Sequence, residues 1–375
     1  MRIVELRQDE FDNYATNNEN ANPWQTSIFG KAAETLGYNV LYLGFEDGRA
    51  IKGCTLVLTT NVYLGQSISY APRGILIDYE DYNFLESALK CLKDYLSDKK
   101  IMSFTMDPPI IMSVRNKHGN LTENRGSVDK KIDAILHGGD ELKANQYAKE
   151  IREVIMKKAN FEYRGENFYF EGILPRWYAI TTLPINARRL LSRIDKRTRT
   201  KLRKAAKLGI EILRDDTKNI DSIAQILQQK PNKPLEFYKK LFENNDKFEL
   251  YIARINSEKY VNNSKILYER EIDRNEILNR IIQEKKRLGK SITHVLNQKM
   301  ESDKIINGYK EHLVKSTQTL KDFPDGKIVA MCIVAKEGNS IMIYEDGYLY
   351  EHKNIPALTL LRWKILEQYS NSNYR

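Results

Sequence analysis

Residues Arg188–Lys207 read RRLLSRIDKRTRTKLRKAAK, which combines dense positive charge with an apolar stripe. Ten of these residues are Lys or Arg, and Asp195 is the one acidic residue. The apolar residues recur at helical spacing, at Leu190, Leu191, Ile194, Leu202, Ala205 and Ala206. Gly209 stands where a helix C′ residue with positive φ is expected, and Ile210–Leu213 predicts a short strand. We therefore expect one helix that packs on a core and holds a positive face to solvent.

A positive helix face suits a polyanion such as RNA or a phosphate-bearing substrate. The candidate nucleic-acid contacts on this face are Arg193, Lys196, Arg199 and Arg203. The alternative is a solvated helix surface without a ligand, and the charge run alone does not separate the two. The chain as a whole has a net charge of +10, which favours anionic partners without proving any.

Bulk properties narrow the class of protein. A chain of 375 residues can bury a large core and predicts two or three domains. Cys54, Cys91 and Cys332 are scattered without paired spacing, which argues against a disulfide framework or a structural zinc site. The charged N-terminus shows no signal peptide, and no apolar run approaches the roughly 18 residues of a membrane span. We expect a cytosolic protein.

The first half alternates strand and helix patterns, which is typical of a layered α/β or α+β domain. Strands are predicted at 2–6, 40–45, 54–59, 67–71, 101–106 and 168–174, and helices at 8–16, 27–37 and 84–96. Polar residues at 110–140 predict a loop or insertion. Further on, helices are predicted at 220–229, 235–242 and 356–369, and strands at 248–255, 328–335 and 340–344.

The composition changes sharply at residues 257–321, which contain no Pro, two Gly, 14 Lys and Arg, and 9 Asp and Glu. Apolar residues recur there at coiled-coil spacing, at Leu278, Ile281, Leu288, Ile292 and Val295. With a hairpin tip at 287–291, this pattern predicts two antiparallel helices that form a protruding arm. We therefore expect a first domain at 1–177, a second domain at 178–256 and 322–375, and a helical arm at 257–321.

Familiar catalytic motifs are absent from the sequence, which has no GxxxxGK[ST], GxSxG or HExxH. Its five His residues are isolated, and His294 and His312 are predicted to be solvated residues of the arm. A metal site or a Ser/His triad is therefore not expected, and no cofactor is predicted. An enzyme of this composition would work by positioning and electrostatics.

The segment Tyr70-Ala-Pro-Arg73-Gly74-Ile-Leu-Ile-Asp78 resembles the Y-x-x-R-G-P-v-i-D signature of the Fem family. Members of this family are non-ribosomal peptidyltransferases that build peptidoglycan cross-bridges. The other matching segments, in family order, are Trp24–Ser27, Phe104–Pro108, Lys117–Thr122, Thr198–Gly209, Tyr344–Gly347 and Pro356–Trp363. The arm resembles the FemA-like branch.

The resemblance implies a fold of two acyl-CoA N-acyltransferase-like (GNAT-like) domains, with an antiparallel coiled-coil arm in the second, similar to that of seryl-tRNA synthetase. It implies aminoacyl-tRNA as the donor and lipid II, at the cytoplasmic membrane face, as the acceptor. The stem-peptide amine would attack the tRNA ester. Peripheral association with the membrane, and a homodimer or a heterodimer with another Fem protein, are further implications.

The resemblance also implies roles for individual residues. Asp107 matches a site-lining Asp considered as a base, with a turn or capping Asp as the alternative. Arg73 is expected to hold a phosphate or carboxylate, or else a structural ion pair, and Tyr70 to line the site or pack structurally. Lys233 and Phe237 match a stretch whose Arg binds the acceptor's diphosphate in some members. Tyr344 matches a site-lining Tyr.

Two departures from the family pattern bear on activity. Eight residues after Gln25, members often carry a substrate-binding Lys, and this chain has Ala33, with Lys31 two residues earlier. Members also continue into further strands and a distal Lys, whereas this chain stops at Arg375. We expect a truncated second domain, which makes the protein less stable than a homologue of natural length and lets it self-associate through the exposed sheet edge. We also expect little or no transferase activity, unless Lys327 or Lys353 takes over the role of the distal Lys.

Two other functions compete with transfer. One is a non-catalytic, truncated Fem-like protein that binds RNA or a partner through the basic helix and the arm. The other is an ordinary acyl-CoA acyltransferase, which is disfavoured because the sequence has no Q/R-x-x-G-x-G/A pyrophosphate loop.

Overall fold

A computed structural model describes most of the chain. The described residues are 1–63, 65–111, 141–164, 174, 177–181, 183, 186–229, 233–243, 246–337 and 340–370. The family-like loop Lys117–Thr122 and, apart from Leu174, the predicted strand at 168–174 lie outside this part of the chain.

The first sheet has five strands in the order β1–β2–β3–β4–β5. Their bounds are Arg2–Glu5, Asn39–Asp47, Ala50–Tyr63, Gln66–Ala71 and Ile101–Met106. The first four strands pair antiparallel, and β4 and β5 pair parallel. A parallel pair needs a crossover connection, and helix α3 (Tyr82–Asp98) supplies it here. The parallel pairing places the ends of β4 and β5 side by side.

Helices cover both faces of this sheet because its buried strand residues alternate between the two faces. Leu56 and Leu58 pack with α1 (Gln8–Thr16) and α2 (Ser27–Glu34). Val57, between them, packs with residues of α3 and α4 (Glu141–Glu153) on the opposite face.

The second sheet has four antiparallel strands in the order β6–β7–β8–β9. Their bounds are Ile210–Arg214, Phe248–Ile255, Lys327–Glu337 and Ser340–Tyr348. The helices around it are α5 (Ala187–Arg193), α6 (Lys196–Lys207), α7 (Ala224–Gln228), α8 (Leu235–Phe242) and α11 (Ala357–Tyr369). Leu202 and Ala205 of α6 share a core with Leu361 of α11.

One hydrophobic core joins the two sheets. Phe11 and Phe29 of the first half belong to the same buried cluster as Phe237 and Phe248 of the second half. The rings of Phe29 and Phe237 lie edge to face, with their centroids 6.3 Å apart. Burial of large aromatic side chains is a strong stabilising contribution, so this core fixes the two halves against each other.

Two long helices, α9 (Ser257–Arg287) and α10 (Thr293–Asp322), lie between β7 and β8 in the chain and pack against each other. Tyr260 contacts His312 near the sheet, and Leu278, Ile282 and Val295 cluster near the turn, so the helices run antiparallel. The turn falls at the tip that the sequence predicted. Polar residues also lie in the seam, and the buried ones include Ser264, Asn275, Ser302, His312, Ser316 and Thr319.

The basic stretch is two helices, so the prediction of one continuous helix was wrong. Ile194 is extended, with φ −78° and ψ 141°, and it separates α5 from α6. The Asp195 carboxylate accepts the Thr198 backbone N–H at 2.9 Å and begins α6 as its N-cap. Because its side chain can accept a hydrogen bond from a backbone N–H of the first helical turn, Asp195 favours the start of a new helix at this point over continuation of the preceding one. Gly209 has φ +77°, as predicted from its place after the helix.

Two predictions about the arm were also wrong. His312 is buried, at 6% exposure, where a solvated residue was expected. Leu288 is 51% exposed, although its spacing predicted a seam position. The reason is that α9 ends at Arg287 in a C-terminal turn, where Gly289 has φ +64° and the Lys290 N–H donates to the Lys285 carbonyl.

Candidate active site at the junction of the two sheets

Asp107 directly follows β5, and its carboxylate gathers three donors from the neighbouring chain segment. Its Oδ1 accepts the Tyr70 hydroxyl at 2.9 Å and the Arg73 backbone N–H at 2.7 Å. Its Oδ2 lies 3.0 Å from Nη1 of Arg73. The parallel pairing of β4 with β5 creates this arrangement, because Tyr70 is the register partner of Thr105. The family-like signature at 70–74 and Asp107 therefore form one cluster.

Arg73 is held from several sides. Its backbone is left-handed, with φ +50°, a conformation that non-glycine residues rarely adopt. The Asn22 side-chain amide donates to its carbonyl at 3.1 Å, while Asp107 accepts its N–H. Its guanidinium carbon lies 5.8 Å from the Trp24 ring centroid and 5.0 Å from that of Tyr178. These contacts fix the cation in one position.

Gln25 and Gly74 build the turn that carries Arg73. The buried Gln25 amide donates to the Pro72 carbonyl at 2.8 Å, and its oxygen accepts the Leu56 N–H at 2.7 Å. A Cβ atom on Gly74 would lie 2.9 Å from Nε2 of Gln25 and 2.9 Å from Oγ1 of Thr55. Glycine is therefore required by close packing.

Burial and the neighbouring positive charge shift the pKa of Asp107 in opposite directions. Burial raises the pKa of its carboxyl above the usual value and outweighs the opposing effects of Arg73 and Tyr70. Burial and the neighbouring Asp107 raise the pKa of Tyr70, so its hydroxyl stays a donor at neutral pH. About 31% of the Asp107 side chain is exposed, so the carboxylate can also contact a substrate.

The second half contributes a cation enclosed by aromatic rings. Nζ of Lys233 lies 3.0 Å from Oε2 of Glu345, and the Tyr238 hydroxyl donates to Oε1 of Glu345 at 3.1 Å. The same Nζ is 5.2 Å from the ring centroids of Phe237 and Tyr344 and 5.8 Å from that of Tyr238.

Trp24 connects the two groups of residues. Its ring lies 5.9 Å from that of Tyr344 and, as noted, next to Arg73. The structure thus brings the predicted catalytic and substrate-binding residues into one continuous cluster across the two halves. Those residues are Tyr70, Arg73, Asp107, Lys233, Phe237 and Tyr344.

The predicted nucleic-acid contacts lie elsewhere, on the two basic helices. Arg193, Lys196 and Arg203 are exposed, and Arg199 is partly exposed. These helices adjoin the base of the arm, since a Cβ atom on Gly209 would lie 2.9 Å from that of Lys259. The end of α6 therefore lies against the start of α9, where the Lys259 ammonium is 2.8 Å from a Glu211 carboxylate oxygen.

Lys327 and Lys353, the two residues considered as replacements for the distal Lys, have partners outside the cluster. Lys327 begins β8, six residues from Ile333, the register partner of Glu345, which is about 20 Å along a strand. It contacts Glu351 at 2.5 Å and the Phe323 ring at 4.2 Å. Lys353 lies 5.2 Å from the Tyr350 ring.

Sequence reasoning missed Tyr178, Tyr238 and Glu345. The sequence does contain a signal for Glu345, because this charged residue directly follows the apolar segment Ile341–Tyr344. Tyr178 and Tyr238 carry none, since only the tertiary fold places their rings beside Arg73 and Lys233.

Within the described residues, no helix combines the length and apolarity that crossing a membrane requires. In the same residues, no group of three or more His, Cys, Asp or Glu is placed to hold a metal ion.

The fold and the cluster together define a mixed α/β protein with a polar and aromatic site at the junction of two sheets. Its sequence matches the model of the FemAB family over residues 6–373, so the chain belongs to this family. It is similar in fold to a crystal structure of FemX, with a TM-score of 0.62 and 16% identity, covering 100% of this chain and 87% of that one.

Curated relatives are similar to part of the chain. The lipid II:glycine glycyltransferase of Staphylococcus aureus strain MRSA252 is 22% identical over 231 residues, which cover 61% of this chain and 47% of that protein. The protein of the same name from strain USA300 is 21% identical over the same shares. The match thus spans about half the length of these relatives.

Proposed function

We propose that this chain transfers an amino acid from aminoacyl-tRNA to the stem-peptide amine of lipid II in the synthesis of peptidoglycan bridges. Membership of the FemAB family and relatives named for glycine transfer to lipid II support this assignment. The observation that carries it is the junction cluster, in which Asp107, Arg73 and Tyr70 of one half meet Tyr344 and Lys233 of the other through Trp24.

Positioning can supply the catalysis because the donor ester is already activated. An amine with a pKa of about 10.4 requires roughly 4–5 kcal/mol to be neutral at pH 7. Effective molarity from alignment contributes about 7–11 kcal/mol, which exceeds that cost. A site without a covalent nucleophile is therefore sufficient for attack of the amine on the ester.

Each residue of the cluster has a role in this proposal. Asp107 orients the attacking amine or accepts its proton, and Tyr70 and Arg73 fix the carboxylate in place. Arg73 and Lys233 contact anionic groups of the substrates, and Phe237 and Tyr344 line the site. The basic residues Arg193, Lys196, Arg199 and Arg203 contact the tRNA phosphates.

The architecture is part of the same proposal. The two sheets would be two GNAT-like domains, at 1–177 and at 178–256 with 322–375, and the helix pair at 257–321 would be a coiled-coil arm. Because lipid II is membrane-bound, the protein would associate peripherally with the cytoplasmic face of the membrane. A homodimer, or a heterodimer with another Fem protein, belongs to the proposal as well.

A transfer assay with lipid II and tRNAs charged with glycine, alanine or serine tests the proposal. We expect the mass of lipid II to increase by one amino-acid residue with at least one of the three donors. Binding of tRNA and lipid II without any mass increase would instead support the non-catalytic alternative. A lack of binding to either substrate would contradict both.

A further inference from the structure

The junction contains two carboxylates, and their partners differ in how firmly they are held. Asp107 pairs with Arg73, whose side chain is 11% exposed and lies between the rings of Trp24 and Tyr178. Glu345 pairs with Lys233, whose side chain is 29% exposed. A lysine has a flexible four-carbon stem and a compact ammonium, so its ion pair exchanges more readily than that of an enclosed arginine.

The surroundings of the Lys233 ammonium have the composition of an ammonium-binding site. A carboxylate oxygen lies at 3.0 Å, and three aromatic ring centroids lie at 5.2–5.8 Å. Aromatic faces attract cations through their quadrupoles, and the attraction grows where water is excluded. Tyr238 and Phe237 are each 1% exposed and the Glu345 side chain 13%, so these walls are fixed and largely dry.

We propose that Glu345, Phe237, Tyr238 and Tyr344 form a binding site for a substrate ammonium group, which Lys233 occupies in the absence of substrate. This inference rests on the proposed function, in which both the acceptor amine and the α-amine of the donor arrive as ammonium groups. A primary ammonium has the same charge and donors as Lys233 and can replace it. The displaced Lys233 then pairs with an anionic substrate group, the role that the family resemblance implies for it.

The geometry favours Glu345 over Asp107 as the carboxylate whose protein cation is displaced by a substrate ammonium, whereas Asp107, with Arg73 in place, keeps its proposed role at the attacking amine. Both Asp107 oxygens already have protein partners, and Arg73 compensates its charge from a fixed position. Displacement of Arg73 would leave a guanidinium without its carboxylate in a buried position, which is costly. Displacement of Lys233 moves a partly exposed side chain into solvent.

Removal of the Lys233 ammonium, which competes with a substrate ammonium for the site, tests the proposal. A tethered group competes at an effective concentration of the order of mM or more, so the wild-type protein should bind free ammonium compounds weakly. The probes are Nα-acetyl-lysine amide, which represents the acceptor amine, and glycinamide, which represents the donor amine. We expect Lys233→Met to bind at least one of them at least 10-fold more tightly than wild type in an NMR titration.

Matched variants and probes give the test its specificity. Lys239→Met, on the exposed side of the helix α8 that follows Lys233, should leave binding at the wild-type level. Glu345→Gln combined with Lys233→Met should abolish the gain. Diacetylated lysine amide, which is neutral, should not bind. Tighter binding of the lysine probe supports the acceptor as the source of the ammonium, and tighter binding of glycinamide supports the donor.

No gain in Lys233→Met, or a gain that persists in the double variant, would overturn the proposal. Thermal unfolding checks that each variant is folded, and Lys233→Gln replaces Lys233→Met if the latter is not. Neither tRNA nor lipid II takes part in the titration. A failed titration therefore leaves transfer open, and a failed transfer assay leaves the ammonium site open.

Discussion

Asp107 combines partial exposure with a complete set of protein partners. Its partners Tyr70 and Arg73 come from a segment more than thirty residues earlier in the chain. The sequence predicted these three residues as site residues through a family resemblance, and the contacts themselves follow from the parallel pairing of β4 with β5. Periodicity specifies strands but not which strands pair, so this cluster could not be derived from local sequence patterns.

Asp107→Asn tests the role of this carboxylate. The substitution keeps the shape but removes the charge that pairs with Arg73 and the ability to take a proton. We expect transfer to lipid II to fall by about 10²–10⁴-fold while the fold is retained. Asp94→Asn, on the exposed surface of α3, is the control and should change neither the rate of transfer nor the stability of the fold. Near-wild-type transfer by Asp107→Asn would exclude Asp107 as base or orienting group.

The spacing of apolar residues predicts the bounds of several helices and strands but not their breaks or their polar contacts. The predicted helices at 8–16 and 235–242 and the strands at 101–106 and 248–255 have the predicted bounds. The break at Ile194 was missed because the apolar spacing across Leu190–Ala206 predicts one continuous helix. The N-cap Asp195 favours the start of a second helix, and this preference is stronger than the spacing. The burial of His312 was missed because the seam of the arm is partly polar, which hydrophobic spacing cannot reveal.

The two basic helices should determine how RNA binding responds to salt. Replacing Arg193, Lys196, Arg199 and Arg203 with Gln removes up to four phosphate contacts. We expect the slope of log affinity for tRNA against log salt concentration to fall by about 3, measured between 50 and 200 mM salt. As the control, the four cations at the arm tip, Lys285, Lys286, Arg287 and Lys290, are replaced in the same way. An unchanged slope in the helix variant would mean that this face is merely solvated.

The base of the arm should respond to pH through His312. Burial, together with Lys204 and Lys315, lowers the pKa of His312 from 6.5 to about 4. The unfolded chain therefore binds a proton between these values that the folded chain does not, and the free energy of unfolding falls as pH decreases from 6.5 to 4. The expected loss is about 3 kcal/mol.

Substitution isolates this contribution from carboxylates that titrate in the same range. His312→Gln keeps a hydrogen-bonding partner for the Tyr260 hydroxyl, which lies 3.0 Å from Nδ1 of His312, but cannot be protonated near neutral pH. We expect a shallower decrease in stability in urea titrations between pH 6.5 and 4. His294→Gln, on the exposed surface of the same helix, should keep the wild-type profile. Identical profiles for both variants would contradict this account.

At the scale of the whole molecule, the shared core has a functional consequence. The cluster around Phe29, Phe237 and Phe248 fixes the two sheets against each other, and the site residues lie along this junction. We therefore expect a substrate that enters the site to contact both halves. This shared site is the central claim of the account, and it does not depend on which amino acid is transferred.

Photo-crosslinking tests that claim most directly. Lipid II that carries a diazirine on the third residue of its stem peptide is bound to the protein and irradiated, and mass spectrometry identifies the crosslinked peptides. We expect crosslinks in both halves, to the segments that contain Arg73 or Asp107 and to those that contain Lys233 or Glu345. Crosslinks confined to one half, or to surfaces away from the junction, would contradict it.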